Sequence, residues 1–294
     1  MITVIITAFR EPKTIGKAIE CFLKQTYKAN YDIVVSAPDP ETIEVVKTFM
    51  KKHKNVKLFK DPGKGKSYAL NMLFRLYRAG ILVLSDGDVF VNKVALEEIA
   101  ELFKNKSMGC VSGRPVSISS RKTMIGYWSH LLADVGAHGI RKRLSKQKKF
   151  LECSGYLFAF RAGVIKQIPL DVAEDSAIPY LLWKKGFRIS YAPKAEVYVK
   201  NPTILNDFIK QRKRTADAHT KLIKYFPKFP KVKSFKNEIK GIFWIWSYPQ
   251  TIKELWWTFL LVFVRLYTWL SLFFDLRFKK KEYIDGWDRV STAR

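Results

Sequence analysis

Short apolar runs rich in β-branched residues occupy residues 2–8, 31–36, 56–59 and 81–85. They alternate with segments at 13–25, 41–53, 67–77 and 93–103, whose apolar positions recur every three or four residues. The first pattern predicts buried strands and the second amphipathic helices. A βαβαβαβ series of this kind predicts a parallel sheet covered by helices on both faces, because parallel neighbours need a crossover connection. Beyond Gly109 the pattern loosens: a strand at 110–118, mixed helix and loop, then a second αβ unit with a helix at 173–185 and a strand at 187–191. From Asn201 onward the chain reads as helical, broken by the prolines Pro227 and Pro230. Near the carboxyl end the polar residues Ser247, Thr251, Glu254, Thr258, Arg265, Thr268 and Asp275 fall on one stripe of a helix whose other positions are Leu, Trp, Phe, Val and Tyr.

Composition sharpens this picture in two places. Lysine and arginine outnumber aspartate and glutamate 53 to 26, a formal charge of +27, so anionic partners are expected: nucleotide diphosphates, acidic lipids or nucleic acid. No helix-turn-helix, zinc finger or RNP signature supports the last of these, and the expectation is no nucleic acid. The cysteines Cys21, Cys110 and Cys153 are too few and too scattered for a disulfide framework and read as reduced core thiols. The opening MITVIITAF reads as a strand and not as a signal peptide, which places the catalytic part in the cytosol.

The aromatic carboxyl-terminal stretch has about the length of a membrane crossing, but Arg277, Lys279, Lys280 and Lys281 would then lie outside, against the positive-inside rule. An interfacial or re-entrant helix with its tryptophans at headgroup level and its lysines on anionic lipid is expected instead, with a single pass and a soluble packing helix as the alternatives. The basic run at 141–149 suits a solvated face as well as a headgroup or acceptor patch.

The first constellation with chemistry in it is Asp86-Gly87-Asp88, directly after the fourth strand. Two carboxylates one residue apart at a strand end can face one crevice and hold a hard divalent cation, and the glycine permits a tight turn. Asp175, beside Glu174 at the start of a predicted helix, is available as a proton acceptor, although an acidic first turn also suits the helix dipole.

In their order these pieces resemble the family-two glycosyltransferases. Thr7-Ala8-Phe9-Arg10-Glu11 is similar to the family's opening P-x-Y-N-E, and Gly65 to Asn71 to its G-K-x-x-A-L-N stretch. Asp86-Gly87-Asp88 resembles its D-x-D. Ser154-Gly155 resembles its small-residue segment at the acceptor, Glu174-Asp175 its E-D motif, and Gln211 to Arg214 the Q-x-x-R of the hyaluronan, cellulose and chitin synthase branch. The resemblance runs from residue 3 to about 220. It implies a glycosyltransferase A fold, an α/β Rossmann-like architecture at residues 1–220, followed by a helical, membrane-associating region at 221–294.

It also implies inverting transfer of a sugar from a nucleoside diphosphate, UDP by default, to a lipid-linked or glycan acceptor at the cytoplasmic membrane face. Mn2+ or Mg2+ would lie on Asp86 and Asp88, and Asp175 would act as base beside Glu174. Donor contacts would come from Thr7, Ala8, Phe9, Glu11, Lys66, Asp86, Gln211 and Arg214, and acceptor contacts from Ser154 and Gly155. A closing tail would use Trp287, Thr292 and Arg294. The usual aspartate pair after the second strand is replaced by Ser36-Ala37-Pro38-Asp39, which shifts base recognition to Asp39, Glu11 or backbone. Thr215 stands where a tryptophan follows the arginine in that branch, which weakens any inference of processive polymerisation. A polysaccharide-extending synthase, a nucleotidyltransferase and a basic nucleic-acid-binding protein are the alternatives; the second would need a glycine-rich phosphate loop near the first strand, which is missing.

Overall fold

The computed structural model describes residues 1–230 and 243–278. Eight strands form one sheet in the order β3-β2-β1-β4-β7-β6-β8-β5. The strands β1 (Ile2–Thr7), β2 (Tyr31–Ala37), β3 (Val56–Lys60) and β4 (Ile81–Asp86) are parallel neighbours, as the alternating pattern predicts. The other half departs from an all-parallel sheet. β7 (Leu157–Arg161) runs antiparallel between β4 and β6 (Met108–Ser117), and the short β5 (Phe90–Val91) pairs antiparallel with β8 (Arg188–Val199).

β1 is buried along its whole length. Ile2, Val4 and Ile6 pack toward one face, where α1 (Ile15–Leu23), α2 (Pro40–Lys52) and α4 (Ala95–Phe103) lie, and Ile5 faces the opposite layer. That opposite layer is built from α3 (Lys66–Leu76) and α7 (Glu174–Lys184), with Phe150, Phe158 and Phe160 filling the space between. The order of the parallel half reverses between β1 and β4, the position at which open α/β sheets leave a crevice beyond their strand ends.

A third apolar cluster lies outside the sheet. Tyr127 and Trp128 of α5 (Met124–Leu131), Phe208 of α8 (Leu205–Tyr225) and Leu261 of α9 (Ile252–Phe278) form its centre. Between α5 and α6 (Ile140–Lys146) the chain adopts a π-helical stretch, Leu132–Gly139.

The polar stripe of α9 faces inward. Arg121 makes a paired contact to Glu254 at 2.7 and 3.0 Å, Tyr127 Oη and Thr258 Oγ1 lie 2.6 Å apart, and Lys213 Nζ meets Asp275 at 3.0 Å. Trp128 Nε1 donates to the Trp257 carbonyl at 2.6 Å. Arg121, α5 and α8 therefore hold α9 from Glu254 to Asp275, about 30 Å of helix at 1.5 Å per residue. The outward face is apolar: Leu255, Trp256, Phe259, Phe263, Leu266, Tyr267, Leu270, Phe273 and Phe274 are all exposed.

Candidate active site at the carboxyl ends of β1 and β4

Register places the last residue of β1 beside the last residue of β4, Thr7 opposite Asp86. Thr7 Oγ1 donates to Asp86 Oδ1 at 3.1 Å, and the same oxygen accepts from Lys66 Nζ at 2.7 Å. Lys66 begins α3 because Gly65 before it takes φ of 100°, a left-handed value that other residues reach only with strain. The ammonium also meets Glu174 Oε1 at 2.6 Å. Burial works against the Lys66 charge, but the two carboxylates outweigh it and hold its pKa well above the ordinary value.

Gly87 is needed for closeness and not for a turn. A Cβ there would stand 2.4 Å from Glu11 Oε2 and 2.7 Å from Ala8 Cβ. The two aspartates thus sit against the turn that leaves β1. That turn is itself fixed from behind: Arg10 has φ of 52°, its amide donates to Asp39 Oδ2 at 2.6 Å, and the Glu11 amide donates to Thr42 Oγ1 at 2.9 Å. The other Asp39 oxygen accepts the Thr42 amide and caps α2. Asp39 therefore buttresses the turn, and both its oxygens already hold backbone N–H groups. Phe9, on the same turn, lies under the Arg10 guanidinium at 5.2 Å.

Asp175 opens α7 with Glu174. The Cβ position of Gly155 is 3.5 Å from Asp175 Oδ2, so the small-residue segment and the expected base face each other. Cys153 N donates to the Asp175 carbonyl at 3.0 Å, Ser154 N donates to Ser112 Oγ at 3.0 Å, and Ser176 Oγ donates to Glu152 at 2.8 Å.

From the other side, α8 brings in Gln211, buried, whose Oε1 accepts from Arg212 at 3.1 Å. Tyr156, next to Gly155, accepts from Ser85 Oγ at its carbonyl at 3.0 Å. The pKa of its phenol is raised, chiefly by burial; Arg212 and Arg214 oppose that shift, and Asp88 and Asp86 reinforce it.

The structure thus brings Thr7, Ala8, Glu11, Lys66, Asp86 and Glu174 together at the strand ends, with Asp88 in the turn that follows, and sets Gly155, next to Ser154, against Asp175; Gln211 and Arg214 lie on α8. Trp287, Thr292 and Arg294, with Lys279 to Lys281, lie outside the described residues. Tyr156, Arg212 and Glu152 are additions that sequence reasoning missed. Only Arg212 left a signal, as part of the basic run Gln211 to Arg214, whereas Tyr156 and Glu152 merely flank the small-residue segment.

Among the described residues no group of three or more His, Cys, Asp or Glu side chains is placed to hold a metal. A cation on Asp86 and Asp88 would take its remaining ligands from phosphate and water. That is how magnesium is commonly held, and the donor set of hard oxygens fits it.

Fold and site define an α/β protein whose strand-end crevice suits a divalent cation and phosphate. The family described as "Glycosyltransferase like family 2" matches residues 1–218, and the chain belongs to it. The poly-beta-1,6-N-acetyl-D-glucosamine synthase of Staphylococcus aureus (strain COL) is 24% identical over 264 residues, 87% of this chain and 62% of the synthase. The synthase of that name from Staphylococcus epidermidis is 22% identical over 260 residues, 83% of this chain and 62% of its own length. The chain thus spans less than two thirds of these relatives. The mannosyltransferase PcManGT from Pyrobaculum calidifontis, solved with GDP-Man and Mn2+, shares the fold at a TM-score of 0.65 and 16% identity, over 95% of this chain and 88% of that one.

Proposed function

We propose that this chain is an inverting glycosyltransferase, which moves a sugar from a nucleoside diphosphate to a hydroxyl or phosphate acceptor. The observation that carries the reading is the bridge through Lys66, which joins Asp86, at the end of β4 and two residues before Asp88, to Glu174, the neighbour of Asp175 at the start of α7. Asp86 and Asp88 would hold Mn2+ or Mg2+, which stabilises a departing diphosphate. Arg214 and Arg212 of α8 add fixed positive charge near the same place. Asp175 takes the proton of the acceptor hydroxyl as that oxygen attacks the anomeric carbon, and Gly155 leaves room beside the carboxylate for the sugar that carries it. One displacement inverts the centre, so no nucleophilic side chain is required.

UDP is the default donor nucleotide. Glu11 and the backbone of the turn Thr7 to Glu11 are assigned to the base, because Asp39 is engaged in holding that turn. A glycan acceptor is favoured by the polysaccharide-synthase relatives, and a lipid-linked one by the apolar face of α9.

We place the protein on the cytoplasmic face of a membrane, with residues 1–220 catalytic and 221–294 membrane-associating. A helix long and apolar enough to cross is present at Ile252–Asp275. Its polar side is held along its length by Arg121, Tyr127 and Lys213, so a crossing would pull α5 and α8 into hydrocarbon, whereas a helix lying in the interface keeps these contacts.

The assignment of the base is tested with Asp175→Asn. Transfer should fall by about 1000-fold while nucleoside diphosphate affinity stays within about threefold, because only the proton acceptor is lost. Wild-type turnover in this variant would show that another group takes the proton.

A further inference from the structure

Lys66 stands where a donor-binding cation is expected, yet its ammonium is already held by two carboxylates, Asp86 at 2.7 Å and Glu174 at 2.6 Å. One positive charge against two negative ones leaves no surplus for a diphosphate. The two carboxylates belong to different sides of the reaction. Asp86 ends β4 in the donor half, and Glu174 lies one residue before Asp175 in the acceptor half. α7 also begins without a side-chain cap, since its N-cap residue is Ala173. Its first turn is tied down instead by contacts from outside the helix: Lys66 to Glu174, the Cys153 amide to the Asp175 carbonyl, and Ser176 Oγ to Glu152. Of these, the Lys66 contact is the one that reaches across to the metal pair.

We infer that Lys66 is a positioning residue: it bridges Asp86 and Glu174, and thereby sets the distance between the metal-holding strand end and the base Asp175. Glu174 is the far end of the same strut and does not touch substrate. The inference rests on the transferase reading. Its consequence for specificity is that the donor diphosphate is met by the metal and the arginines of α8, and not by Lys66.

The test uses the full chain and four variants: Lys66→Met, Lys66→Arg, Glu174→Gln and the double variant Lys66→Met/Glu174→Gln. Lys66→Met and Glu174→Gln should each lower kcat by up to about 100-fold through misplacement of the base. The double variant should be no worse than Lys66→Met alone, as expected when two residues form one contact. Lys66→Arg should recover part of the rate. UDP affinity with manganese should change by less than about threefold in each. Hydrogen exchange, measured without substrate, should quicken at the Ser176 and Ala177 amides, which bond to the Ala173 carbonyl at 3.2 and 3.0 Å.

A tenfold or larger loss of UDP affinity in Lys66→Met, with none in Glu174→Gln, would make Lys66 a donor ligand and overturn the proposal. Unchanged exchange in α7, or additive losses in the double variant, would overturn it as well. A wild-type protein that neither binds UDP with manganese nor turns over a donor would sink the transferase reading instead. The exchange measurement then still decides whether the strut exists.

Discussion

Gly87 shows how a spacing can be legible for an incomplete reason. The spacing Asp-Gly-Asp points to a cation site, and a tight turn accounts for the glycine. In the fold the glycine is required because Glu11 and Ala8, seventy-odd residues earlier, lie where a side chain would go. No local pattern carries that contact. Asp39 is a second case. Read along the chain it is one of three candidates for base recognition, with Glu11 and backbone; in space it caps α2 and holds Arg10, whose φ is 52°.

The sign of its titration follows from these bonds. Burial raises the Asp39 pKa, and the Arg10 and Thr42 hydrogen bonds more than offset this, so the folded value lies below the ordinary 3.8. A depressed carboxylate contributes stability that is present above its unfolded pKa and is lost as pH falls through the folded value. Asp39→Ala should therefore cost about 1 kcal/mol near neutral pH, and the difference from wild type should shrink in denaturant titrations below pH 3.8. A difference independent of pH would remove the carboxylate from the account.

Among the elements, β1 to β4 with their helices, and later β6, α7 and α9, were readable, whereas β7 and the full length of β8 were not, for a physical reason. β1, β2 and β4 are buried on both faces, and all four strands are separated by strongly periodic helices, so each carries its own signal. β7 is only five residues long, and its antiparallel direction is set by pairing with β4 and β6. β8 runs to Val199, well beyond the predicted end, because its second half pairs with the end of β6 and with β5. The stripe on α9 was visible in sequence, but its inward direction was not. That depends on Arg121, in a loop with no periodicity of its own.

Leu261 sits at the centre of the α9 contact, only 2% exposed. Leu261→Ala should weaken docking of α9 by about 2–4 kcal/mol, the cost of a buried leucine and its cavity. Limited proteolysis reads this directly: cleavage between α8 and α9 should accelerate in the variant. Unchanged cleavage would mean that α9 is held elsewhere.

For the molecule as a whole, a charge of +27 and an apolar helix face are the features on which the proposed membrane association rests. The exposed rings of Trp244, Trp246, Trp256 and Phe263 are suited to headgroup depth. Full-length protein should bind phosphatidylserine vesicles more tightly than neutral ones, and Trp256→Ser/Phe263→Ser should reduce binding to both by about tenfold or more, since burial of each large side chain is worth about 1.5–3 kcal/mol. Equal partitioning of wild type and variant would leave the outward face of α9 unexplained. The acceptor was not legible at this scale, because its contacts would come from Gly155, a loop and a helix end rather than from a motif of fixed spacing.

The central claim, a metal-assisted site for a nucleoside diphosphate at the end of β4, is most directly tested by calorimetry of UDP binding with and without manganese. Wild type should bind UDP in a manganese-dependent manner, Asp175→Asn should keep that dependence, and Asp88→Ala should lose it. Manganese-dependent binding that survives in Asp88→Ala would contradict the account.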